Sequence, residues 1–499
     1  MGDFFIKEHC GVYGVYDYEG RDVFPLLYWG LLSQNHRGHE SHGFLTYNGS
    51  MNLYRNLGLI PEIKQKDLKN WLNRLPGNVG IGNVRYGTSG LKDERSLLLD
   101  AHPFITEFRE KRLGISYNGN IVNNPQLRMI LKEEQGEIEG TSDVALLAGY
   151  LLKSLSQTGD IFEAGRVCME QVEGAYSLTG ILDDGTLFAI RDPYGIRPFC
   201  TGVNKDKTAY AFSSESVGLD INNFDYVSEV KPGEIIVLTE DGVERRRVMK
   251  KGRRALCSFE FSYFARPDSI LDGTDRPVYE IRERFGKNLG REYSELVADA
   301  DLIISIPETA NDAAYGLHEE TGLRWERGLW RHRYITHRAF ITPSREERHK
   351  IINRKVNILG SKVKGKNIIV VEDSIVRGDT TSVILRKLRS AGAKKIHLFV
   401  TFPRIISPCF YGIDMATYGE LIGSNHEPEE IAKIIGADTV NYQPIEKFVE
   451  AIGLKRSELC LGCVTEEYPT PIAQKVSLEM KKKFKCGIKE LGRIYETYM

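Results

Sequence analysis

The sequence predicts two domains of different classes, an N-terminal α+β domain followed by an α/β domain built on a parallel sheet. At 499 residues the chain is too long for one ordinary core. Its first half carries short apolar runs closed by Gly, Asn or Asp, such as CGVYGVYDYEG and NVGIGNVRYG, which is typical of a strand-rich domain. Its second half alternates fully apolar runs with helical patterns, which indicates a parallel sheet covered on both faces.

Helical patterns interrupt the strands of the first half at VFPLLYWGLLSQ and SDVALLAGYLLKSL, so this domain is predicted to be a mixed layer structure. The basic segment KKGRRA, at 250–255, is interpreted as the seam between the domains. We therefore expect the first domain to cover residues 10–250 and the second to cover 251–470. Residues 471–499 are charged and helical in pattern, and are predicted to form a C-terminal extension.

The composition excludes several classes of protein. With 41% hydrophobic and 27% charged residues, the chain is predicted to be globular. Its 67 basic residues nearly cancel its 68 acidic ones, so no net field draws it to nucleic acid or anionic lipid. No apolar run is long enough for a membrane span. The leader, 1–9, is too short for a secretory signal, and eight cysteines without such a signal favour reduced thiols and a cytoplasmic location.

The second half is predicted to bind its ligand at one edge of the sheet. Apolar strands are predicted at 300–307, 366–373 and 395–402. Helical patterns follow the first two, one ending at Gly322 and the other covering roughly 381–391. Ligands of parallel sheets bind at the carboxyl ends of the strands, where the helix N-termini point. The polar segments 307–312 and 372–382 are therefore predicted to line the binding crevice.

The segment VVEDSIVRGDTTS, at 370–382, carries the most specific chemistry. Glu372 and Asp373 end a strand, and four residues separate them from Gly378 at a helix start. Gly378 lets the backbone approach a phosphate near the positive end of the helix. The hydroxyl donors available there are Thr380, Thr381 and Ser382. The acid pair is placed to accept hydrogen bonds from ribose, directly or through Mg²⁺. A plain strand–loop–helix turn is the alternative, but it leaves two buried acids uncompensated.

This segment resembles the phosphoribosyl pyrophosphate (PRPP) motif of type I phosphoribosyltransferases. With FEFSYFARPDS, RHRYITHRAFITPS and SPCFYGID, it makes the chain similar to the amidophosphoribosyltransferase family from Cys10 to about residue 470. The resemblance implies a class II, N-terminal-nucleophile glutaminase domain with αββα layers, joined to a type I phosphoribosyltransferase domain. It also implies synthesis of 5-phosphoribosylamine, glutamate and pyrophosphate from PRPP and glutamine, the first step of de novo purine biosynthesis.

The resemblance assigns the residues of the PRPP site. Residues 331–357 resemble a loop that covers pyrophosphate and forms the ammonia path. The residues expected to bind PRPP are Glu372, Asp373, Ser374, Arg377, Gly378, Thr380, Thr381, Arg333 and Lys355, and those expected near Mg²⁺ are Thr309, Glu372 and Asp373. Relatives usually have Pro-Asp-Ser where this chain has Pro307-Glu308-Thr309. Asp379 is an extra acid in the phosphate loop, and it repels an anion.

Cys10 begins CGVYGV directly after the leader. A thiol nucleophile needs a base, and the α-amine of a Cys freed at the N-terminus has a pKa close to neutral. A buried structural cysteine in a strand is the alternative for a lone Cys. The segments NHRGHES (35–41), VRYGTSG (84–90), YNGN (117–120) and TSD (141–143) resemble glutaminase motifs in the family's order and favour the nucleophile.

The glutaminase residues follow from the same resemblance, which implies that the leader is removed. Arg85 would hold the α-carboxylate of glutamine as a bidentate pair, with Thr88 among the glutamine-binding residues. Asp143 would bind the α-amine. The Asn118 side chain and the Gly119 backbone N–H would form the oxyanion hole.

Four further cysteines are candidates for a metal centre, namely Cys257, Cys409, Cys460 and Cys463. Four thiolates suit zinc or an iron–sulfur cluster, and the spacing leaves the choice open. Four unrelated core cysteines are the plain alternative. The positions match the ligands of a structural 4Fe–4S cluster in one branch of the family, so the resemblance implies 4Fe–4S and Mg²⁺ as cofactors. It further implies a homodimer or homotetramer with purine nucleotides as inhibitors, and no nucleic-acid or membrane partner is expected.

Two other functions remain open at the level of sequence. One is a non-catalytic PRPP-binding regulatory paralogue, which the intact Cys10, Arg85, Asn118 and Asp143 oppose because a sensor has no use for a glutaminase site. The other is an amidotransferase that acts on a different acceptor, such as a hexose phosphate. The PRPP-type loop opposes that function.

Overall fold

The computed structural model describes most of the chain. The described residues are 10–86, 94–135, 142–250, 253–332, 354, 356–488 and 490. Three predicted site residues, Thr88, Arg333 and Lys355, lie outside them, as do the leader and most of the predicted covering loop 331–357. Among the described residues, no helix combines the length and apolar character needed to cross a membrane.

The first half folds as two antiparallel sheets. Their strands are β1 (Gly11–Asp17), β2 (Ser41–Tyr47), β3 (Met51–Leu57), β4 (Val79–Arg85), β5 (Phe104–Phe108), β6 (Lys111–Ile121), β7 (Gly174–Leu182), β8 (Leu187–Arg191), β9 (Cys200–Asn204), β10 (Ala209–Ser213), β11 (Phe224–Glu229), β12 (Glu234–Thr239) and β13 (Gly242–Arg247). One sheet has the order β11-β9-β10-β1-β4-β2-β3 and the other β13-β12-β8-β7-β6-β5. The prediction that the first half forms a strand-rich domain is confirmed.

Helices cover the outer faces of both sheets, which confirms the αββα layers. The helices of this half are Phe24–Leu32, Leu68–Arg74, Glu94–Leu99, Asn124–Gln135, Asp143–Thr158, Ile161–Gln171 and Val217–Asp220. Helix Phe24–Leu32 packs on the sheet that contains β1 and β4. Helix Asp143–Thr158 packs on β6 of the other sheet and is buried along most of its length. The central strands of each sheet are therefore buried on both faces.

The interior between the sheets changes from apolar to polar along its length. Val12 and Ile81 of one sheet share a buried cluster with Ile181 of the other. Because side chains alternate along a strand, Asn83 on β4 points to the same interior as Ile81. Asn118 on β6 is likewise fully buried. The end of the sandwich that carries Cys10 thus has a polar interior.

The second half contains the predicted parallel sheet. Its strands are β14 (Leu256–Cys257), β15 (Leu302–Ser305), β16 (Leu329–Arg331), β17 (Val356–Ile358), β18 (Asn367–Glu372), β19 (Lys395–Val400), β20 (Thr439–Tyr442) and β21 (Leu459–Cys460). The parallel sheet has the order β15-β18-β19-β20. The helices of this half are Val278–Glu292, Ser294–Asp299, Asn311–Thr321, Gly360–Val363, Asp379–Ser390, Ile422–Asn425, Pro428–Ile435, Ile445–Ile452, Gly462–Thr465 and Pro471–Lys485. One buried cluster lies on each face of the sheet.

The two halves share a core at the seam. Strand β14, just after the seam, pairs in parallel with β21 near the end of the second half. The surrounding apolar cluster includes Val122, Ala175 and Ile196 of the first half. Ala473 and Met480 of the C-terminal helix enter the same cluster. The seam is therefore a packed interface and not an open linker.

Candidate active sites

Cys10 lies directly before β1, and its side chain is buried. Its Sγ is 3.9 Å from the carbonyl oxygen of Tyr86. Strands β1 and β4 pair with Gly11 opposite Val84, so the antiparallel register brings Arg85 beside Cys10. The structure thus brings together two residues that lie far apart in the sequence and that were predicted to share one site.

The electrostatic surroundings of the Cys10 thiol include the other predicted residues. Burial raises the pKa of Cys10, the Arg85 guanidinium lowers it, and the Asp143 and Glu40 carboxylates raise it. These charges act on the thiol because they lie close to it. A buried thiol with a raised pKa is a poor nucleophile without a neighbouring base, which is the role that the sequence predicts for the α-amine of the same residue.

Asp143 and Arg85 are both held by neighbours. Asp143 begins the helix Asp143–Thr158, and its Oδ2 accepts hydrogen bonds at 3.0 Å from the Tyr117 hydroxyl and from the Ile121 backbone N–H. Arg85 Nη1 lies 3.4 Å from Glu40 Oε2. The charges predicted to bind the two ends of an amino acid are therefore fixed on separate elements, β4 and a helix N-terminus.

The Asn118 amide is buried, and neither its nitrogen nor its oxygen has a hydrogen-bond partner among the described residues. A buried amide without a partner costs about 1–3 kcal/mol, so this arrangement is suited to a ligand atom. The next residue is Gly119, where a Cβ atom would lie 1.8 Å from the Ala175 carbonyl oxygen. Strand β7 approaches β6 so closely here that only glycine fits. The assignment of Asn118 and Gly119 to an oxyanion hole stays a prediction.

The acid pair of the second half lies at the carboxyl end of β18, as predicted. Glu372 and Asp373 are both buried. Burial and the Asp373 charge hold the pKa of Glu372 well above its usual range. Burial raises the pKa of Asp373 to about 6, while Ser374 and Arg282 lower it. Ser374 Oγ donates to Asp373 Oδ1 at 2.6 Å, and Thr381 Oγ1 donates to Glu372 Oε2 at 3.3 Å.

The loop after the acid pair ends in a helix N-terminus, as predicted. Gly378 adopts a left-handed conformation with φ of 78° and precedes the helix Asp379–Ser390, which contains Thr380 and Thr381. Arg377 turns to the Glu420 carboxylate, with its Nε 2.9 Å from Oε2. The assignment of Arg377 to PRPP stays a prediction. Thr309 follows β15, whose parallel pairing with β18 brings it to the same edge of the sheet.

The four predicted cluster cysteines lie near one another at the seam. Cys257 on β14 is directly opposite Cys460 on β21, and all four thiols are buried and free of disulfides. The charges of Cys257, Cys409 and Cys460 each affect the pKa of Cys463, so the four sulfurs are neighbours. Tyr411 N–H donates to Cys409 Sγ at 3.4 Å. Nevertheless, in the described part of the chain no three His, Cys, Asp or Glu residues converge closely enough to hold a single metal ion.

A group of buried charges next to Cys10 was not predicted. We call Arg37, Arg197, Glu215 and Glu260 the seam ion cluster, because they lie between the two halves. The segments that carry Arg37 and Glu260 were recognised, but the charges that these residues meet were not predicted. Burial raises the pKa of Glu215, but His36 and Arg37 together hold it well below its usual range. The only signal in the sequence was an arginine or glutamate inside an otherwise buried segment.

Known proteins resemble this chain over nearly its whole length. A glutamine amidotransferase domain family matches residues 96–220. Amidophosphoribosyltransferase of Methanocaldococcus jannaschii is 38% identical over 480 residues, which cover 93% of this chain and 98% of that protein.

Two solved structures have the same arrangement of both halves. Glutamine PRPP amidotransferase of Bacillus subtilis, complexed with ADP and GMP, matches with a TM-score of 0.83 and 31% identity, covering 98% of this chain and 100% of that one. A structure described as the allosteric regulatory enzyme of purine biosynthesis matches with a TM-score of 0.83 and 33% identity, covering 95% of this chain and 99% of that one.

Proposed function

Because the chain belongs to the amidophosphoribosyltransferase family, we propose that it makes 5-phosphoribosylamine, glutamate and pyrophosphate from PRPP and glutamine. It is a glutamine-dependent glycosyltransferase of purine biosynthesis. One observation carries the proposal most directly: a single chain holds the buried Cys10 thiol beside Arg85 and Asp143, and an acid pair at the carboxyl end of β18.

The first reaction takes place at Cys10. The Cys10 sulfur attacks the side-chain amide carbon of glutamine, while its proton passes to the α-amine that leader removal exposes. The Asn118 amide and the Gly119 N–H stabilise the negative oxygen of the tetrahedral intermediate. The protonated α-amine gives the thiol proton to the amide nitrogen, and ammonia leaves as the C–N bond breaks. Water then cleaves the thioester to give glutamate and the free thiol. Arg85 and Asp143 hold the carboxylate and the amine of the substrate.

The second reaction takes place at the edge of the parallel sheet. Ammonia forms a bond to C1 of PRPP as the bond to pyrophosphate breaks. The loop that ends at Gly378 presents backbone N–H groups and hydroxyls to the 5-phosphate at a helix N-terminus. Glu372 and Asp373 accept hydrogen bonds from the ribose hydroxyls. The reaction depends mainly on positioning and on stabilising the charge of the leaving group.

The acid pair fits a divalent cation. Two adjacent buried carboxylates, both with a raised pKa, repel each other in the unliganded protein, and a cation offsets that repulsion. Glu372 and Asp373 would hold Mg²⁺ with Thr309 nearby, since hard cations prefer oxygen ligands. When bound, Mg²⁺ supplies neutralisation of the developing pyrophosphate charge.

The four buried seam thiols fit an iron–sulfur cluster by their chemistry, and the family resemblance favours it over zinc. The charges of the other three cysteines act on Cys463, so the four thiols are neighbours, and cysteine thiolates are the usual ligands of such a cluster. The hydrogen bond from the Tyr411 backbone N–H to Cys409 Sγ would stabilise a thiolate ligand. The cluster would be held by Cys257, Cys409, Cys460 and Cys463. It would supply a structural cross-link at the seam.

Further properties of the enzyme stay predictions. They comprise removal of the leader, boundaries at 250 and 470, assembly into a homodimer or homotetramer, and a cytoplasmic location. Purine nucleotides are expected inhibitors, because the Bacillus subtilis relative is complexed with ADP and GMP. The two alternative functions receive no support, since the relative from Methanocaldococcus jannaschii, which matches nearly the whole chain, is named amidophosphoribosyltransferase.

The test compares turnover with the two nitrogen donors, glutamine and free ammonia. Cys10→Ala removes the sulfur nucleophile of the glutamine site, so glutamine-dependent turnover is expected to vanish. Ammonia-dependent turnover needs only the second half and is expected to persist within about twofold of the unmodified enzyme. Pyrophosphate release is measured with each donor. Equal loss of both activities, from a protein that unfolds at the same temperature as the unmodified enzyme, would contradict the two-site proposal.

A further inference from the structure

Arg37 ties the backbone of Cys10 to the seam ion cluster. Its Nε donates a hydrogen bond to the Cys10 carbonyl oxygen at 3.2 Å. Its Nη1 and Nη2 donate to the two oxygens of Glu260 at 3.0 and 2.9 Å, and Nη1 also donates to Glu215. The planar fork of a guanidinium fixes the direction of each N–H group, so an arginine held by two carboxylates is a rigid donor.

The two carboxylates that hold Arg37 come from different halves of the chain. Glu215 follows β10 in the first half, whereas Glu260 begins a short π-helical turn, Glu260–Phe264, after the seam. Both carboxylates are fully buried, and Glu260 also accepts a hydrogen bond from Arg197 Nη1 at 3.2 Å. Two arginines and two carboxylates balance, so no member of the seam ion cluster is left as an uncompensated buried charge.

The turn that carries Glu260 also contacts the PRPP side of the molecule. Ser262 Oγ lies 3.4 Å from the carbonyl oxygen of Asp373, to which it donates, and 3.4 Å from Thr401 Oγ1. Glu260 therefore contacts Arg37, which binds the Cys10 carbonyl, while Ser262, two positions later, contacts Asp373 at the end of β18. Single π-helical turns are rare, and they occur frequently at functional sites.

A nucleophile at a chain terminus lacks a preceding residue to fix it. Free termini are mobile unless something ties them down. Once the leader is removed, the charge-assisted hydrogen bond from Arg37 to the Cys10 carbonyl becomes a main restraint on that residue. The position of the thiol relative to Arg85 and Asn118 then depends on how firmly Arg37 is held.

We propose that Glu260 is a positioning residue for the glutaminase nucleophile, which it holds in place through Arg37 although it belongs to the other half of the chain. The inference rests on the proposed function, because it concerns the same thiol. It makes the first reaction dependent on docking of the second half, since the anchor of Arg37 is complete only when the turn Glu260–Phe264 lies against the first half.

The test compares the two nitrogen donors in Glu260→Gln. An amide here turns an NH₂ group towards guanidinium donors, so Arg37 loses one of its anchors. We expect kcat with glutamine to fall about 10- to 100-fold, the effect of a misplacement near 1 Å. The KM for glutamine is expected to change less than kcat, because Arg85 and Asp143 still bind the substrate. Turnover with ammonia is expected to stay within about twofold.

Asp272→Asn is the matched control. It weakens another buried ion pair at the seam, Asp272 with Arg191 at 2.6 Å, which is separate from Arg37. We expect this variant to be less stable and yet to keep the glutamine-to-ammonia turnover ratio of the unmodified enzyme. The proposal is overturned if Glu260→Gln keeps that ratio, or if Asp272→Asn lowers it equally.

A second variant covers the case in which Glu260→Gln does not fold. Arg37→Lys keeps the charge but cannot reach the Cys10 carbonyl and both carboxylates at once, so the same fall in the ratio is expected. An unchanged ratio in Arg37→Lys also overturns the proposal. Absence of glutamine-dependent turnover in the unmodified enzyme would instead contradict the proposed function, which keeps the two failures distinguishable.

Discussion

At the scale of the residue, the two carboxyl groups that end β18 determine how PRPP binding responds to pH. Burial raises the pKa of Asp373 to about 6, so this group loses its proton only above that pH. Binding of Mg²⁺ and PRPP favours the carboxylate. A proton must therefore be displaced below pH 6, and the affinity for PRPP is expected to fall up to about tenfold per pH unit.

Calorimetric titration of PRPP from pH 5 to pH 8 measures this dependence. Asp373→Asn is the control, since the asparagine side chain cannot titrate. The ratio of the PRPP affinity of the unmodified enzyme to that of this variant cancels the titration of PRPP itself. We expect the ratio to rise between pH 5 and pH 7 and then to level off. A constant ratio over the whole range would show that Asp373 does not carry the proton that binding displaces.

Individual site residues differed in how far the sequence could predict them. Cys10, Arg85 and Asp143 were recognised from motifs, and the register of β1 with β4 brings the first two together. Arg37 and Glu260 are 223 positions apart, and their pairing depends on how the halves dock. Local sequence reports that a residue is charged, but not which distant charge it meets. The seam ion cluster therefore emerged only from the structure.

At the scale of the element, helices Val278–Glu292 and Asn311–Thr321 cross at two glycines. A Cβ atom at Gly316 would lie 2.0 Å from the Glu283 carbonyl oxygen, and one at Gly286 would lie 1.8 Å from the Ala313 carbonyl oxygen. This close contact fixes the second helix, which begins directly after the loop that contains Thr309. The crossing thus positions one edge of the PRPP site.

We expect Gly316→Ala to force these helices apart. Overpacking of this kind costs about 1–3 kcal/mol, against a gain of about 1 kcal/mol in helix propensity. The expected result is a lower unfolding temperature with weaker PRPP binding. Gly360→Ala makes the same chemical change in a helix where a Cβ atom would meet no other atom within 4 Å, and should lower neither quantity. Unchanged stability and affinity in Gly316→Ala would mean that the crossing does not position the site.

The bounds of elements were predicted less well than their type. The strand predicted at 300–307 is β15, Leu302–Ser305, because the strand ends at Ser305 although the apolar Ile306 after it is still buried. The helix expected from 381 begins at Asp379, because Gly378 in its left-handed conformation forms the N-cap. Apolar patterns report burial, whereas the end of an element depends on backbone hydrogen bonds.

At the scale of the whole molecule, the seam cysteines are expected to hold the halves together through their cluster. Cys460→Ser removes one of the four ligands, so we expect loss of the visible absorbance and the iron of the anaerobically purified protein. Both activities should fall together, since β14 and β21 form part of the core that the halves share. Cys168→Ser, a buried cysteine away from the seam, should keep colour and iron. Stoichiometric zinc in place of iron would contradict the cluster.

The architecture of the whole molecule was the most predictable feature. Strand-rich patterning and alternating apolar strands each indicated the correct class, because burial of one or both faces of a sheet leaves a period in the sequence. The packing of the halves at the seam leaves no such period. The polar interior around Asn83 and Asn118 was likewise not predicted from patterning, because a polar residue within a strand does not reveal from the sequence whether it is buried.

The central claim is that one chain couples two reactions, and the most direct measurement is the release of glutamate and pyrophosphate from glutamine, PRPP and Mg²⁺. The anaerobically purified enzyme with its leader removed is used, and both products are quantified in the same sample. We expect equal amounts of the two, and no pyrophosphate when PRPP is omitted. Glutamate without pyrophosphate in the complete mixture would contradict the account, because the second half would then act on another acceptor or on none.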